Sequence, residues 1–208
     1  MNPRPIQKTS SDLIDLDIHG YSSHRLDQSF DPRMGGVRSL EETNNCNLFA
    51  VNLNQVMDWL QDHDFPKAFE KEPCSIPLLL FVPNFSTKHL LFHYDGTTQS
   101  ANLIKGFLQL FQNKISKSKA TVISPSFIPK SRLKEEQELI EMISSATSET
   151  SFIKLNFLKI GDFWSYAVKH QCTLLVTSKT YQLELSKVLF SFYEGSLWDD
   201  NLSFYLAQ

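Results

Sequence analysis

Few residues in this sequence are placed for chemistry, and Asp95 is the foremost of them. The apolar run Leu90 to Tyr94 ends in Asp95-Gly96-Thr97-Thr98, just ahead of a helical stretch. A carboxylate where a strand gives way to a helix lies where parallel α/β sheets gather their ligands. The same residues also suit a plain turn, with Thr97 or Thr98 capping the helix. His89 and His93 flank that strand, and neither has a Ser, Cys or Asp at a spacing that suggests a triad. His93 alternates with Phe92 and Tyr94 and is expected to pack partly buried.

Asp15, Asp17, His19, His24 and Asp27 are dense in metal-ligand chemistry. Their spacing matches no motif with a mechanism, so a solvated loop is expected there and no metal. Cys46, Cys74 and Cys172 are odd in number and far apart, without a CxxC, which points to a reducing cytoplasm rather than a disulfide framework. Cys172 opens an apolar run and reads as core. No GxSxG, HExxH, Walker loop or GxGxxG occurs. The chemistry-bearing residues therefore point away from an enzyme.

The elements that must position these residues form a regular alternation from Lys88 onward. Strands are expected at Leu90–Tyr94, Ala120–Ser124, Phe152–Phe157, Cys172–Val176 and Leu202–Ala207. Helices are expected at Thr98–Ile115, at Ser131–Thr147, from a cap at Asp162 to about His170, and around Leu185, Val188, Leu189 and Phe192. Leu139, Met142, Ile143 and Ala146 fall at helical spacing, and Glu135 and Glu136 suit the positive N-terminal end of their helix. Such alternation predicts right-handed crossovers and a doubly wound five-stranded parallel sheet in the order 3-2-1-4-5, with the Leu90 strand central. Before it, Asn47–Val51, a helix at Leu53–His63 and the buried run Ile76–Val82 form a strand–helix–strand piece. Leu13–Ile18 alternates as a short half-buried strand, and Met1–Ser11 is polar with no apolar signal-peptide core.

The 208 residues carry 20 Lys and Arg against 23 Asp and Glu, which gives no electrostatic reason to expect nucleic acid or an acidic membrane as partner. The longest apolar run, Ile76–Val82, is far too short to span a bilayer. Sixteen phenylalanines supply ample material for a core.

Three stretches resemble the universal stress protein family. Leu90-Leu91-Phe92-His93-Tyr94-Asp95-Gly96-Thr97 is similar to its opening strand, and Cys74 to Pro83 to its closing strand. Leu202 to Ala207 is a second copy of such a closing strand. A closing strand followed at once by an opening strand resembles a tandem member. The resemblance divides the chain into a degenerate or truncated half at residues 1–85 and an intact domain at residues 86–208. It implies a cytoplasmic stress-response or regulatory protein that is not an enzyme and acts through protein contacts, and a homodimer paired through last strands.

In nucleotide-binding members the residue matching Asp95 helps hold the nucleotide, and a Gly-rich loop after the fourth strand holds the phosphates. Here Thr177, Ser178 and Lys179 stand in that loop, and no glycine follows until Gly195-Ser196. Glycine lets backbone N–H groups approach phosphate. No cofactor is therefore expected, and Lys179 is expected to be exposed and solvated. The alternative is an ATP-binding member with weak or no hydrolysis. A receiver-like domain fits poorly, because the third strand ends in Asn156-Phe157 without an Asp. A flavodoxin-like domain fits little better, since Asp95 to Thr98 makes a poor phosphate loop.

Overall fold

The computed structural model describes residues 48–62, 75–194 and 201–208. The acidic and histidine-bearing segment from Asp15 to Asp27, the Leu13–Ile18 strand, Cys46, Cys74 and Gly195-Ser196 lie outside the described residues.

Among the described residues seven strands form one sheet. In chain order the elements are β1 Phe49–Asn52, α1 Leu53–Gln61, β2 Leu78–Phe81, β3 His89–His93, α2 Thr98–Phe111, β4 Lys119–Ser124, α3 Leu133–Ala146, β5 Glu149–Lys154, α4 Ile160–Lys169, β6 Leu174–Ser178, α5 Gln182–Glu194 and β7 Ser203–Ala207. Their spatial order is β1-β2-β7-β6-β3-β4-β5. From β3 to β7 every neighbouring pair is parallel, so the expected 3-2-1-4-5 order is present with β3 at its centre.

The central strands β3, β6 and β7 are buried on both faces, which is why they read as continuous apolar runs. Alternate residues face opposite helix layers. Leu90, Phe92, Leu174, Val176 and Tyr205 join the cluster under α2 and α3. Leu91, Leu175, Phe204 and Leu206 join the one under α1, α4 and α5. The helix stripes match these layers: Leu103, Phe107 and Phe111 from α2 on one side, Phe163 and Ala167 from α4 on the other. Phe107 stacks on Phe111 at 4.6 Å and meets Tyr205 edge-on at 5.1 Å.

The piece before β3 is built into the same sheet. Asn52 caps α1 by accepting from the backbone N–H of Asn54 at 3.0 Å. β1 and β2 are parallel, and β2 runs antiparallel to β7, with Leu79 opposite Tyr205. Ser203 Oγ accepts from Val82 N–H at 3.2 Å, which closes the junction. As expected for a unit too small to bury both its faces, it leans on the larger part of the chain. The implied pairing of two copies through last strands does not fit this arrangement. β7 already has β6 on one edge and β2 on the other.

Three further expectations need correction. The strand expected at Phe152–Phe157 is β5, Glu149–Lys154. The polar residues Glu149, Thr150 and Ser151 pair with β4 at the sheet edge, where half of each side chain set meets water. Asp162 is not the cap of α4 but its third residue, and its Oδ2 accepts from the N–H groups of Leu158 and Lys159, both at 3.1 Å. Cys172 precedes β6 rather than opening it.

Candidate functional site at the carboxyl ends of β3 and β6

The chain leaves β3 towards β4 and later returns to its other side as β6, so the winding reverses between β3 and β6. Ligands of open α/β sheets sit at the carboxyl ends of the strands at such a point. Asp95 follows β3 there and is exposed. Its Oδ1 accepts from Ser100 Oγ at 2.6 Å, Thr97 Oγ1 at 2.7 Å and Thr97 N–H at 2.9 Å. Thr97 in turn accepts from Ser100 N–H and is the N-cap of α2. Gly96 between them has φ +84°, a conformation that disfavours any side chain. Partial burial works to raise the Asp95 pKa, and the hydrogen bonds from Ser100 and Thr97 more than offset it, leaving the carboxyl below its ordinary value. Asp95 therefore organises the strand-to-helix turn. Its Oδ2 receives no hydrogen bond from the described residues.

His93 is buried rather than partly exposed, at 8%. Its Nδ1 shares a 2.9 Å hydrogen bond with Thr177 Oγ1 of β6. Its ring stacks on Phe163 of α4 at 3.9 Å, and Tyr181 lies against it at 5.1 Å. Burial pushes the imidazole pKa down to about 4, against a smaller opposite pull from Asp95. His93 is thus neutral near pH 7. His89 sits at the other end of β3, half-buried, with its pKa lowered chiefly by burial.

Thr177 and Ser178, expected in the loop after the strand, are the last residues of β6, and only Lys179 follows it. Thr177 is fully buried against His93. Ser178 Oγ accepts from Thr180 N–H at 3.2 Å and caps the short 3₁₀ turn that follows. Lys179 is not exposed, as the sequence suggested. It is buried and donates to the backbone carbonyl of Ile76, tying this turn to the segment entering β2.

A second polar cluster lies on the opposite side of β3, at the ends of β4 and β5. Glu136 of α3 is buried, and its Oε1 accepts from Ser124 Oγ and from Lys154 Nζ, both at 2.6 Å. Arg132 pairs with Glu135 at 3.0 Å and also donates to Thr98. The Tyr94 hydroxyl is buried with no hydrogen-bond partner among the described residues. Burial, with the nearby Glu135, Glu136 and Asp95 carboxylates, pushes its pKa up to about 12. A Ser beside a Lys resembles an activated nucleophile. Ser124 is fully buried and its hydroxyl donates a hydrogen bond to Glu136, so it is held as part of an ion-pair network. Glu136 was read only as a helix-end charge. Its spacing to Leu139 and Ile143, at i+3 and i+7, places it on the buried stripe of α3, and that signal could have found it.

Cys172 is buried and its thiol pKa is pushed up to about 12 by desolvation, which fits an inert core residue. Among the described residues no group of three or more His, Cys, Asp or Glu is placed to hold a metal, and no helix is long and apolar enough to cross a membrane.

Structures of universal stress proteins are similar to this chain. One from Archaeoglobus fulgidus is 11% identical, with a TM-score of 0.48 over 81% of this chain and 63% of that one. One from Burkholderia pseudomallei is 10% identical, with a TM-score of 0.34 over 50% of this chain and 88% of that one. A universal stress protein in complex with cAMP is 14% identical, with a TM-score of 0.35 over 44% of this chain and 73% of that one. Likeness at this level assigns no ligand or activity. No family model and no curated protein matches the sequence.

Proposed function

We propose that this chain is a non-catalytic regulatory module of the universal stress type, acting through protein contacts rather than by holding a nucleotide. One observation carries the reading. At the carboxyl ends of β3 and β6 the chain's own rings meet, with His93 packed against Phe163 and Tyr181. A triphosphate needs several convergent donors, which backbone N–H groups at a glycine loop supply. Here Thr177 and Ser178 are engaged by neighbours, and the one cation of the loop, Lys179, is turned inward to Ile76.

The alternative is a nucleotide site, and Asp95 is the observation that favours it. The residue is exposed at the mouth, with Oδ2 outside its turn network. A carboxylate repels phosphate and would serve only a ribose or base. The cAMP-bound neighbour makes cAMP a sensible second probe. Titration calorimetry with ATP and magnesium, and separately with cAMP, tests the reading. The expected result is no saturable binding with either. Binding in the low micromolar range that is lost in Asp95→Ala would overturn it and establish the alternative.

A further inference from the structure

The large hydrophobic side chains exposed among the described residues are Phe127 at 83%, Leu158 at 88%, Leu133 at 48% and Met142 at 40%. Their placement is not scattered. Phe127 lies on the loop between β4 and α3, and Leu158 on the loop between β5 and α4. Asn156 Oδ1 accepts from Ser126 N–H at 2.8 Å and joins the two loops. Each loop is also anchored separately. Ile128 is buried beside Gly96, Pro125 and Pro129 flank the Phe127 turn, and Asp162 holds the backbone of Leu158. A loose loop would fold such side chains out of water; these are held out by hydrogen bonds and proline. Preorganised apolar anchors of this kind lose little freedom when a partner covers them.

Each anchor has an exposed lysine on its own loop, Lys130 beside Phe127 and Lys159 beside Leu158. Neither lysine makes an ion pair among the described residues. The two joined tips thus form an exposed apolar knob with exposed lysines on the same segments.

A surface of opposite charge is on the same chain. Between α2 and α3 runs an open groove of about 620 Å³, with Leu108, Met142 and Ala146 in its wall and Glu138 and Glu141 at its rim. No cation lines it. Among the described residues Glu138 has only an exposed helix pair with Lys134 at 3.6 Å, which is weak, and the Glu141 carboxylate has only the amide of Gln137 at 3.0 Å. Leu133 opens α3, the helix that leads from the knob to the groove.

We propose that the knob at Phe127 and Leu158 of one copy seats in the acid-rimmed α2–α3 groove of a second copy. Lys130 and Lys159 then face Glu138 and Glu141 of that copy. A two-fold arrangement exchanges both contacts at once and closes the assembly at two copies. This goes beyond the functional reading above and is tested separately from it, because Phe127, Leu158 and the residues of the α2–α3 groove are not the side chains that pack against His93. It also replaces pairing through last strands, whose edge β2 covers.

Sedimentation velocity on the full chain, from low to high micromolar concentration, tests the proposal. The expected result is a reversible association, weakened by salt. Phe127→Ser with Leu158→Ser weakens it by about tenfold or more. The charge reversals Glu138→Lys with Glu141→Lys, and separately Lys130→Glu with Lys159→Glu, each weaken self-association. Mixing the two charge-reversed variants restores it, since each then meets its opposite. All these side chains are on the surface, and recovery in the mixture shows directly that both variants are folded. Monomer at every concentration overturns the proposal. So does association that the Ser variants leave unchanged, or a mixture that fails to recover.

Discussion

The two sides of β3 end in opposite chemistry. Towards β6 the carboxyl end is closed by rings, a neutral imidazole and hydroxyls, with the one lysine drawn inward. Towards β4 and β5 it is held by charges, Glu136 with Lys154 and Glu135 with Arg132, beside a buried phenol that has no hydrogen-bond partner among the described residues. The same backbone geometry thus serves two ends. One side is packed with rings and hydroxyls as part of the core. The other is an electrostatic clamp between a helix and two strands. Fold alone does not decide which residues a switch point presents, so function has to be read from the side chains.

The clamp should be the more sensitive side. Glu136→Ala leaves Lys154 and Ser124 without their shared acceptor and is expected to cost about 2–4 kcal/mol, less than a fully buried pair because Lys154 is partly solvated. Urea denaturation measures it, and a loss no larger than that of a surface substitution would mean the clamp is ornamental. Lys179→Met should come next. It strips the donor from the Ile76 carbonyl and is expected to cost about 1–3 kcal/mol. Hydrogen exchange should show the loss concentrated in β1, α1 and β2 rather than in β4 and β5. The smallest effect has the opposite sign. Tyr94→Phe removes a buried hydroxyl that has no partner among the described residues, and should raise stability by up to about 1 kcal/mol.

The sheet order was legible because both-face burial writes each central strand as an apolar run, and crossovers of one helix each leave few topologies. The edge strand was less legible. β5 carries Glu149, Thr150 and Ser151 where one side meets water, so the apolar residues just beyond it, Leu155 and Phe157, shifted the expected strand three residues late. The antiparallel seat of β2 on β7 could not be read either, because hydrophobic pattern fixes which face is buried and not which edge is paired. At the site, Asp95 and the three residues Thr177 to Lys179 were found by position. Their actual work, turning the chain and filling space, depends on Phe163 and Tyr181, which are distant from His93 in sequence and carry no motif. Glu136 hid for another reason: a charged residue on a buried stripe looks like an error of periodicity unless its partner, Lys154, is placed beside it.

The packed β3–β6 mouth is the central claim, and the protonation of His93 reports on it most directly. A base whose folded pKa lies below its unfolded value gives stability that is complete above the unfolded value, 6.5, and is lost as the pH falls through about 4. The full difference is about 3 kcal/mol. An NMR titration of the His ring protons, with His93 assigned by the resonance missing in His93→Gln, measures the folded value. The packed mouth predicts a midpoint near 4, with the ring neutral throughout the physiological range. A midpoint at the ordinary value of 6.5 would mean an open, solvated mouth with room for a ligand, and would contradict the account.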